Sequence, residues 1–204
     1  MAYTPATEAL IVALQALPGV GTRTAQRMAL QLLDRDIQSA QVLVASLSTA
    51  LDRVHKCPQC RTLTEQDVCD ICINEHRVQK TVCVVASDAD KTGIEMSAKY
   101  KGRYFVLHGL LSPIDGIGPN ELGIFDLVER VKAGQVDEVI LALDEQLEAE
   151  ATVHYIREHL KNLLSIKISR LSFHEMKSGS LDKTDSHVIA RALASKQEIG
   201  FEQD

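Results

Sequence analysis

The sequence predicts a mixed α and α/β fold with a helical N-terminal region, a four-cysteine finger, a parallel α/β domain and a short helical C-terminal tail. Three observations predict it. Apolar residues recur at helical spacing before the cysteines, four cysteines then fall close together, and short apolar runs alternate with helical stretches after position 80. The 204 residues are 45% hydrophobic, which is enough to build buried cores in one large domain or two or three small ones.

Residues 1–56 contain three apolar stripes whose members are three or four positions apart, the spacing of one helix face. In chain order the stripes are Leu10, Ile11, Leu14 and Leu17; then Ala25, Met28, Ala29, Leu32 and Leu33; then Ala40, Leu43, Val44, Leu47, Leu51 and Val54. A proline and a glycine end the first stripe. We therefore expect three helices in this domain.

A two-glycine turn joins the first two helices. Gly19 and Gly21 permit a tight turn and let backbone N–H groups approach a phosphate without an intervening Cβ. Arg23 and Arg27 lie four positions apart on one helix face, and residues 17–33 contain no acid. This pattern resembles the helix-hairpin-helix motif that grips DNA phosphates without reading sequence, so these four residues are candidate DNA-binding residues. The alternative is a plain connection between packed helices.

The next motif is a C-x2-C-x8-C-x2-C finger over residues 57–72. Its cysteines, Cys57, Cys60, Cys69 and Cys72, offer four thiolates from two tight turns, which is the usual ligand set of one structural zinc ion per chain. Two disulfides or redox CxxC pairs are the alternative, and the absence of an export signal favours zinc. A closed four-sulfur shell leaves no position for a catalytic water.

Residues 80–175 read as a parallel sheet with helices on its faces, because the apolar runs are continuous, as in strands buried on both sides. The predicted strands are 81–86, 103–107, 139–143 and 166–171, and the predicted helices are 94–100, 120–133 and 147–164. The tail, residues 176–204, has one further helical candidate at 187–194.

The acids of this domain raise the question of enzymatic activity. A strand ending in an acid, with a later Asp-x-Asp, is how Toprim domains hold Mg²⁺, but Ala86 stands where the first carboxylate would be. Asp144, Glu148 and Glu150 follow the later strand without forming Asp-x-Asp. These three acids are either a solvated helix start or an acidic docking surface for a basic partner.

The charge, the aromatic content and the hydropathy of the sequence argue against several classes of protein. The formal net charge of −6 comes entirely from residues 81–204, which hold 14 Lys/Arg and 20 Asp/Glu, and it disfavours an extensive DNA footprint on one chain. With 4% aromatic residues and no Trp, base-stacking platforms are not expected. No apolar run reaches 18 residues and no basic-then-apolar leader opens the chain, so we expect a cytoplasmic protein without membrane contact.

The hairpin, the finger, the Toprim-like domain and the stretch GRYFVLHGLLSPIDGIGP at 102–119 occur together. This combination resembles the RecR family of recombination mediators over residues 8–171. The resemblance implies a non-enzymatic DNA-repair protein that acts with RecO, and in some settings RecF. It also implies help in loading RecA onto single strands coated by single-strand-binding protein, and assembly into dimers or tetrameric rings. In such a ring, several weakly binding hairpins could act together.

Three departures accompany this resemblance: Ala86 replaces a usual Glu, Asp144-Glu145 replaces a usual Asn-Pro, and residues 173–185 match the family's tail only loosely. Two other functions are therefore considered. One is a Mg²⁺-dependent Toprim enzyme resembling a primase or nuclease, and the other is a zinc-ribbon adaptor that binds only protein.

Overall fold

The computed structural model describes residues 3–163, 166–172 and 181–200, so most of the predicted tail segment 173–185 and the last four residues lie outside it. The chain divides into two compact units, Met1–Val54 and His55–Asp204. Among the described residues, no helix is long and apolar enough to cross a membrane.

The first unit contains the three predicted helices. They are α1 (Pro5–Gln15), α2 (Thr22–Leu30) and α3 (Ile37–Arg53). Ala25 and Ala29 of α2 are fully buried together with Ile11 of α1, because small side chains let the two helices approach closely. A π-helical turn, Gln31–Arg35, extends α2, and Asp36 then caps α3 by accepting a hydrogen bond from the Ser39 N–H at 3.1 Å.

Helix α3 differs from an ordinary core helix because none of its residues is buried. Its apolar stripe is the predicted one, yet Val44, Leu47 and Leu51 are 68%, 57% and 75% exposed. The helical periodicity is confirmed, whereas burial of this stripe within the chain is not observed.

The second unit contains two sheets. Its strands are β1 (His55–Lys56), β2 (Leu63–Thr64), β3 (Val78–Val85), β4 (Gly102–Val106), β5 (Glu138–Ala142), β6 (Lys167–Arg170) and β7 (Gln197–Glu198). Strands β1 and β2 form an antiparallel pair, and the other five lie in the order β4-β3-β5-β6-β7. The first four strands of this larger sheet are parallel, as predicted, whereas β7 runs antiparallel to β6 and was not predicted.

Helices cover both faces of the larger sheet. They are α5 (Asp88–Met96), α6 (Ile124–Lys132), α7 (Leu147–Leu160) and α8 (Ser186–Ala194), and a short α4 (Asp70–Ile73) lies in the finger. Alternate residues of β3 point to opposite faces, so Val82 and Val84 pack with α6 and α7 while Cys83 and Val85 pack with α5 and α8. This three-layer arrangement accounts for the continuous apolar runs in the strands.

Three predicted helices need corrected boundaries. Helix α6, predicted over 120–133, spans Ile124–Lys132 because Gly123, with a φ of +65°, is its N-cap, and α5, predicted over 94–100, spans Asp88–Met96. Helix α5 begins at Asp88 rather than at residue 94, because Ser87 caps it by accepting from the Asp90 N–H at 3.1 Å. Helix α7 begins at Leu147 as predicted but ends at Leu160, and residue 164, the predicted end, lies outside the described residues.

Candidate functional site

The four predicted cysteines come together at the start of the second unit. Their Sγ atoms all lie within 4.8 Å of one another, and the side chains of Cys57, Cys60, Cys69 and Cys72 are 0–6% exposed. Each pair is held by a tight turn, in which the Arg61 N–H donates to the Cys57 carbonyl at 2.8 Å and the Cys72 N–H donates to the Cys69 carbonyl at 2.9 Å. The strand pair β1–β2 supports the first turn.

This geometry fits a tetrahedral metal ion with four sulfur ligands. A Zn–S bond of about 2.3 Å requires sulfur atoms about 3.8 Å apart, and the Sγ atoms of Cys60 and Cys69 lie 3.4 Å apart. In addition, the Cys69 N–H lies 3.5 Å from Cys57 Sγ, where it stabilises a thiolate.

The first turn of the finger also contacts the edge of the five-stranded sheet. The Val106 N–H of β4 donates to the Cys60 carbonyl at 2.8 Å, and Arg61 Nε donates to the Val106 carbonyl at 3.2 Å. Arg61 Nη2 also donates to the Glu121 carbonyl at 2.7 Å. Gly123 has a φ of +65°, and a Cβ there would collide with the Arg61 guanidinium. Arg61 therefore fixes the finger to the α/β domain.

A second connection runs through Thr62, which is 2% exposed. Its hydroxyl donates to the Asp88 carboxylate and accepts from the Lys91 ammonium. The Leu63 N–H donates to the same carboxylate at 3.1 Å, and Lys91 pairs with it at 3.1 Å. Burial raises the pKa of Asp88, but these hydrogen bonds and the Lys91 charge outweigh it and hold that pKa below its ordinary range. The Asp88 carboxylate is thus bound by groups of the finger and by the Lys91 ammonium.

Sequence reasoning did not identify Arg61, Thr62 or Asp88 as a group. Arg61 follows Cys60 directly, and this position is the only available signal. The partners of the Arg61 and Thr62 side chains lie 26 to 65 residues away along the chain, so no local pattern could reveal them.

The predicted hairpin residues lie in the first unit. Gly19 has a φ of +78°, and Gly21 in extended conformation precedes the first turn of α2. A Cβ added at either glycine would meet nothing within 4 Å, so the backbone there is open. Arg23 and Arg27 are exposed, and within the described residues neither side chain forms a hydrogen bond or ion pair. The hairpin therefore presents two free guanidinium groups beside an uncapped helix N-terminus.

The three predicted acids lie at the start of α7 but have different surroundings. Asp144 is part-buried and accepts hydrogen bonds from Gln146 at 2.8 and 3.1 Å. Glu150 pairs with Arg170, whose hydrogen bonds hold the pKa of Glu150 below its ordinary range. Glu148 is exposed, and among the described residues its carboxylate has no ion-pair partner. Glu148 is thus the most available of the three.

Glu148 also lines an open cleft of about 670 Å³ at the carboxyl ends of β3 and β4. Ala86, His108 and Asp115 line the same cleft, which is where open parallel sheets bind their ligands. The stretch at 102–119 therefore forms β4 and one wall of this cleft. Among residues 3–163, 166–172 and 181–200, only the four cysteines form a group of three or more potential metal ligands.

The chain is similar to known proteins over nearly its whole length. Three family models match: the RecR helix-hairpin-helix over residues 7–51, the RecR four-cysteine zinc finger domain over 54–74, and the Toprim domain over 80–172. The chain is 48% identical over 197 residues to the "Recombination protein RecR" of Saccharophagus degradans, covering 97% of this chain and all of the relative. It is 45% identical over 201 residues to the protein of the same name in Stutzerimonas stutzeri, covering 98% of this chain and all of that relative.

The zinc-finger match and the clustered sulfur atoms agree. The four cysteines hold a structural zinc ion, as the spacing predicts. The helical hairpin, the finger and the Toprim domain follow one another in the predicted order.

Proposed function

The chain belongs to the RecR family of recombination mediators in DNA repair, and on that premise we propose that it binds DNA without sequence preference and acts as a scaffold rather than an enzyme. It would act with RecO, and in some settings RecF, to help load RecA onto single-stranded DNA. The observation that carries the proposal is the pair of free guanidinium groups on the hairpin.

The hairpin has the chemistry of a phosphate site. Arg23 and Arg27 offer positive charge from one face of α2, and the open turn at Gly19 and Gly21 exposes backbone N–H groups to a phosphate oxygen. Contacts of this kind position a protein on the DNA backbone and carry no base information. Binding is therefore expected to weaken steeply as salt rises.

The test is a salt series of DNA binding by fluorescence anisotropy with a labelled oligothymidylate. The double variant Arg23→Ala, Arg27→Ala should bind more weakly, and its slope of log affinity against log salt should fall by about 0.7 for each lost contact. Arg35→Ala is the matched control, because it removes one exposed arginine from the following turn. An unchanged affinity and slope in the double variant would show that the hairpin does not bind DNA.

We assign the acids at the start of α7 to a basic protein partner, RecO. Glu148 lines the open cleft and lacks an ion-pair partner among the described residues. Asp144 adds negative charge beside it, and the charge of Glu150 is partly offset by its pair with Arg170. Glu148→Gln should weaken RecO binding in calorimetry, and the exposed neighbour Glu145→Gln serves as the control. Equal RecO affinity in both variants and the wild type would contradict this assignment.

The apolar stripe of α3 supports self-association into a dimer or a tetrameric ring. Together with Leu32 and Leu33, α3 lines a groove of about 470 Å³, and Val44 lies in it. Val44→Asp should lower the mass measured by light scattering without loss of helical circular dichroism. Ser46→Asp places the same charge two positions along the exposed helix and should leave the mass unchanged. A smaller assembly in both variants, or in neither, would contradict the proposal.

The competing function is a Mg²⁺-dependent Toprim enzyme. Ala86 follows β3 where such an enzyme needs an acid, and the nearby Asp88 is occupied by Thr62 and Lys91 of this chain. These two observations support a scaffold. Mg²⁺-dependent nicking or primer synthesis by the purified protein, abolished by Asp144→Ala, would establish the enzyme instead.

A further inference from the structure

A partly enclosed cavity of about 500 Å³ lies in the second unit, away from the cleft described above. It is bounded by the first turn of the finger, the starts of β3 and β4 and the end of α6. Its polar lining consists of Gln59, Gln79, Lys80, Arg103, Arg130 and Gln135. Three of these side chains are cationic and three are neutral amides, and no carboxylate lines the cavity. This composition is unusual in a chain of net charge −6.

The two arginines of the cavity have no carboxylate partner among the described residues, although Arg130 also faces the thiolates of the finger. Arg103 Nε is buried without a hydrogen-bond partner, and Arg130 Nη1 donates to the Gln59 carbonyl at 2.5 Å. Neither arginine forms an ion pair with a described acid. Lys80 pairs with Asp137 at 3.1 Å, but both side chains are about 60% exposed, so solvent weakens that pair. The charges of Arg103 and Lys80 are thus little compensated, whereas Arg130 shares its charge with the finger.

We propose that this cavity binds a phosphate group of the single-stranded DNA backbone, as a contact additional to the hairpin. Guanidinium groups and an ammonium group, reinforced by amide N–H donors, match the several oxygens of a phosphate. The donors come from the finger, two strands and a helix, so they approach a ligand from several directions. A tetrahedral phosphate can accept from several directions, whereas a planar carboxylate is bound by a single guanidinium group in one plane. No aromatic side chain lines the cavity, so bases would not stack there.

This inference rests on the proposed DNA binding and deepens it. The experiment is therefore the same anisotropy salt series on the full-length protein, with variants of the cavity instead of the hairpin. Lys80→Gln alone, and Lys80→Gln with Arg103→Gln, should weaken binding of labelled oligothymidylate, the double variant by about fivefold. Its salt slope should fall by about 0.7 per lost contact.

Lys132→Gln is the matched control, because Lys132 also forms one exposed ion pair, with Glu129 at 2.7 Å, but does not line the cavity. It should retain wild-type affinity. Zinc content, measured on each variant by elemental analysis, shows whether the finger has stayed folded. The Lys80 side chain is 62% exposed, so Lys80→Gln should not disturb the fold. This single variant still tests the proposal if the variant at Arg103 is destabilised.

The outcomes separate the two proposals. If the wild type does not bind oligothymidylate, the proposed function itself fails. If it binds and the Arg23, Arg27 variant is impaired while both cavity variants equal the wild type, only the cavity assignment is overturned. The assignment is also overturned if inorganic phosphate raises the melting temperature of the wild type but not that of the cavity variants, while all of them bind DNA with equal affinity. The site would then take free phosphate rather than DNA. Reduced zinc content with unchanged DNA affinity would show that the cations serve only the finger.

Discussion

Replacing Thr62 by Val should loosen the finger from the α/β domain without removing any ligand of the zinc ion. Valine has nearly the shape of threonine but lacks the hydroxyl that joins Asp88 and Lys91. Hydrogen bonds to charged groups contribute about 1.5–3 kcal/mol each. The loss is partly offset, because Asp88 and Lys91 keep their own ion pair at 3.1 Å.

We therefore expect Thr62→Val to weaken the attachment of the finger to the α/β domain by about 2 kcal/mol, which multiplies the population with a detached finger by about 30. The measurement is zinc release to a chromogenic chelator, which should accelerate by a similar factor if release passes through detachment. Urea unfolding of the second unit should show a lower midpoint with an unchanged slope.

Thr64→Val is the matched control within the same finger. Its hydroxyl accepts only the Gln66 N–H at 3.1 Å and contacts no charged group in the described structure, so the change should alter zinc release little. Wild-type rates of zinc release and a wild-type urea midpoint for Thr62→Val would refute the attachment through this hydroxyl.

Three further predictions concern the metal, an acid and a glycine. Cys57→Ser should remove the zinc ion and unfold the finger, as measured by elemental analysis and circular dichroism. Burial raises the pKa of Glu95, but Arg77 and the Tyr104 hydroxyl outweigh it and hold that pKa below its ordinary range. The stability that Glu95 supplies is therefore present above the ordinary Glu pKa of about 4.3 and is lost as the pH falls through the lower folded value. Glu95→Gln should cost about 2 kcal/mol at pH 7 and flatten the loss of urea stability below about pH 4.3. Gly123→Ala should destabilise by more than about 1 kcal/mol in urea, because it strains a positive φ and collides with the Arg61 guanidinium.

Each of these predictions has a contradicting result. One zinc ion per chain in Cys57→Ser would exclude the assigned ligand set. An acid-unfolding profile of Glu95→Gln that parallels the wild type would show that Arg77 does not depress the carboxyl pKa. For Gly123→Ala, the control is Gly134→Ala, which has a similar φ of +68° and nothing within 4 Å of the added Cβ. Equal losses in the two variants would exclude a role of the Arg61 contact.

Local patterns in the sequence predict the finger and most of the sheet. The cysteine ligands lie within two short turns, and the apolar runs mark strands whatever their neighbours are. The sequence misplaces the start of α5 because the apolar pattern begins seven positions after the capping Ser87. Strand β7 is only two residues long and polar, so no periodicity could reveal its pairing with β6.

Contacts between residues far apart in the chain, and whether a side chain is covered or exposed, could not be predicted from the sequence. Periodicity identifies the apolar stripe of α3 but not whether anything covers it, and the structure leaves Leu47 and Leu51 exposed. Lys80, Arg103 and Arg130 are 23 to 50 residues apart along the chain and meet only because the starts of β3 and β4 and the end of α6 lie near the finger. Their shared cavity depends on tertiary packing, which a single sequence does not display.

The contact between Cys60 and Val106 has a consequence for how the protein avoids aggregation. Strand β4 is the outermost strand of the five-stranded sheet, and such a strand offers unpaired backbone groups to other chains. The zinc-bound turn occupies the end of that edge through the Cys60 carbonyl and the Arg61 side chain. Loss of the metal would therefore free the backbone N–H and carbonyl of Val106 at the end of this edge, and we expect the metal-free protein to aggregate more readily than the zinc-bound form.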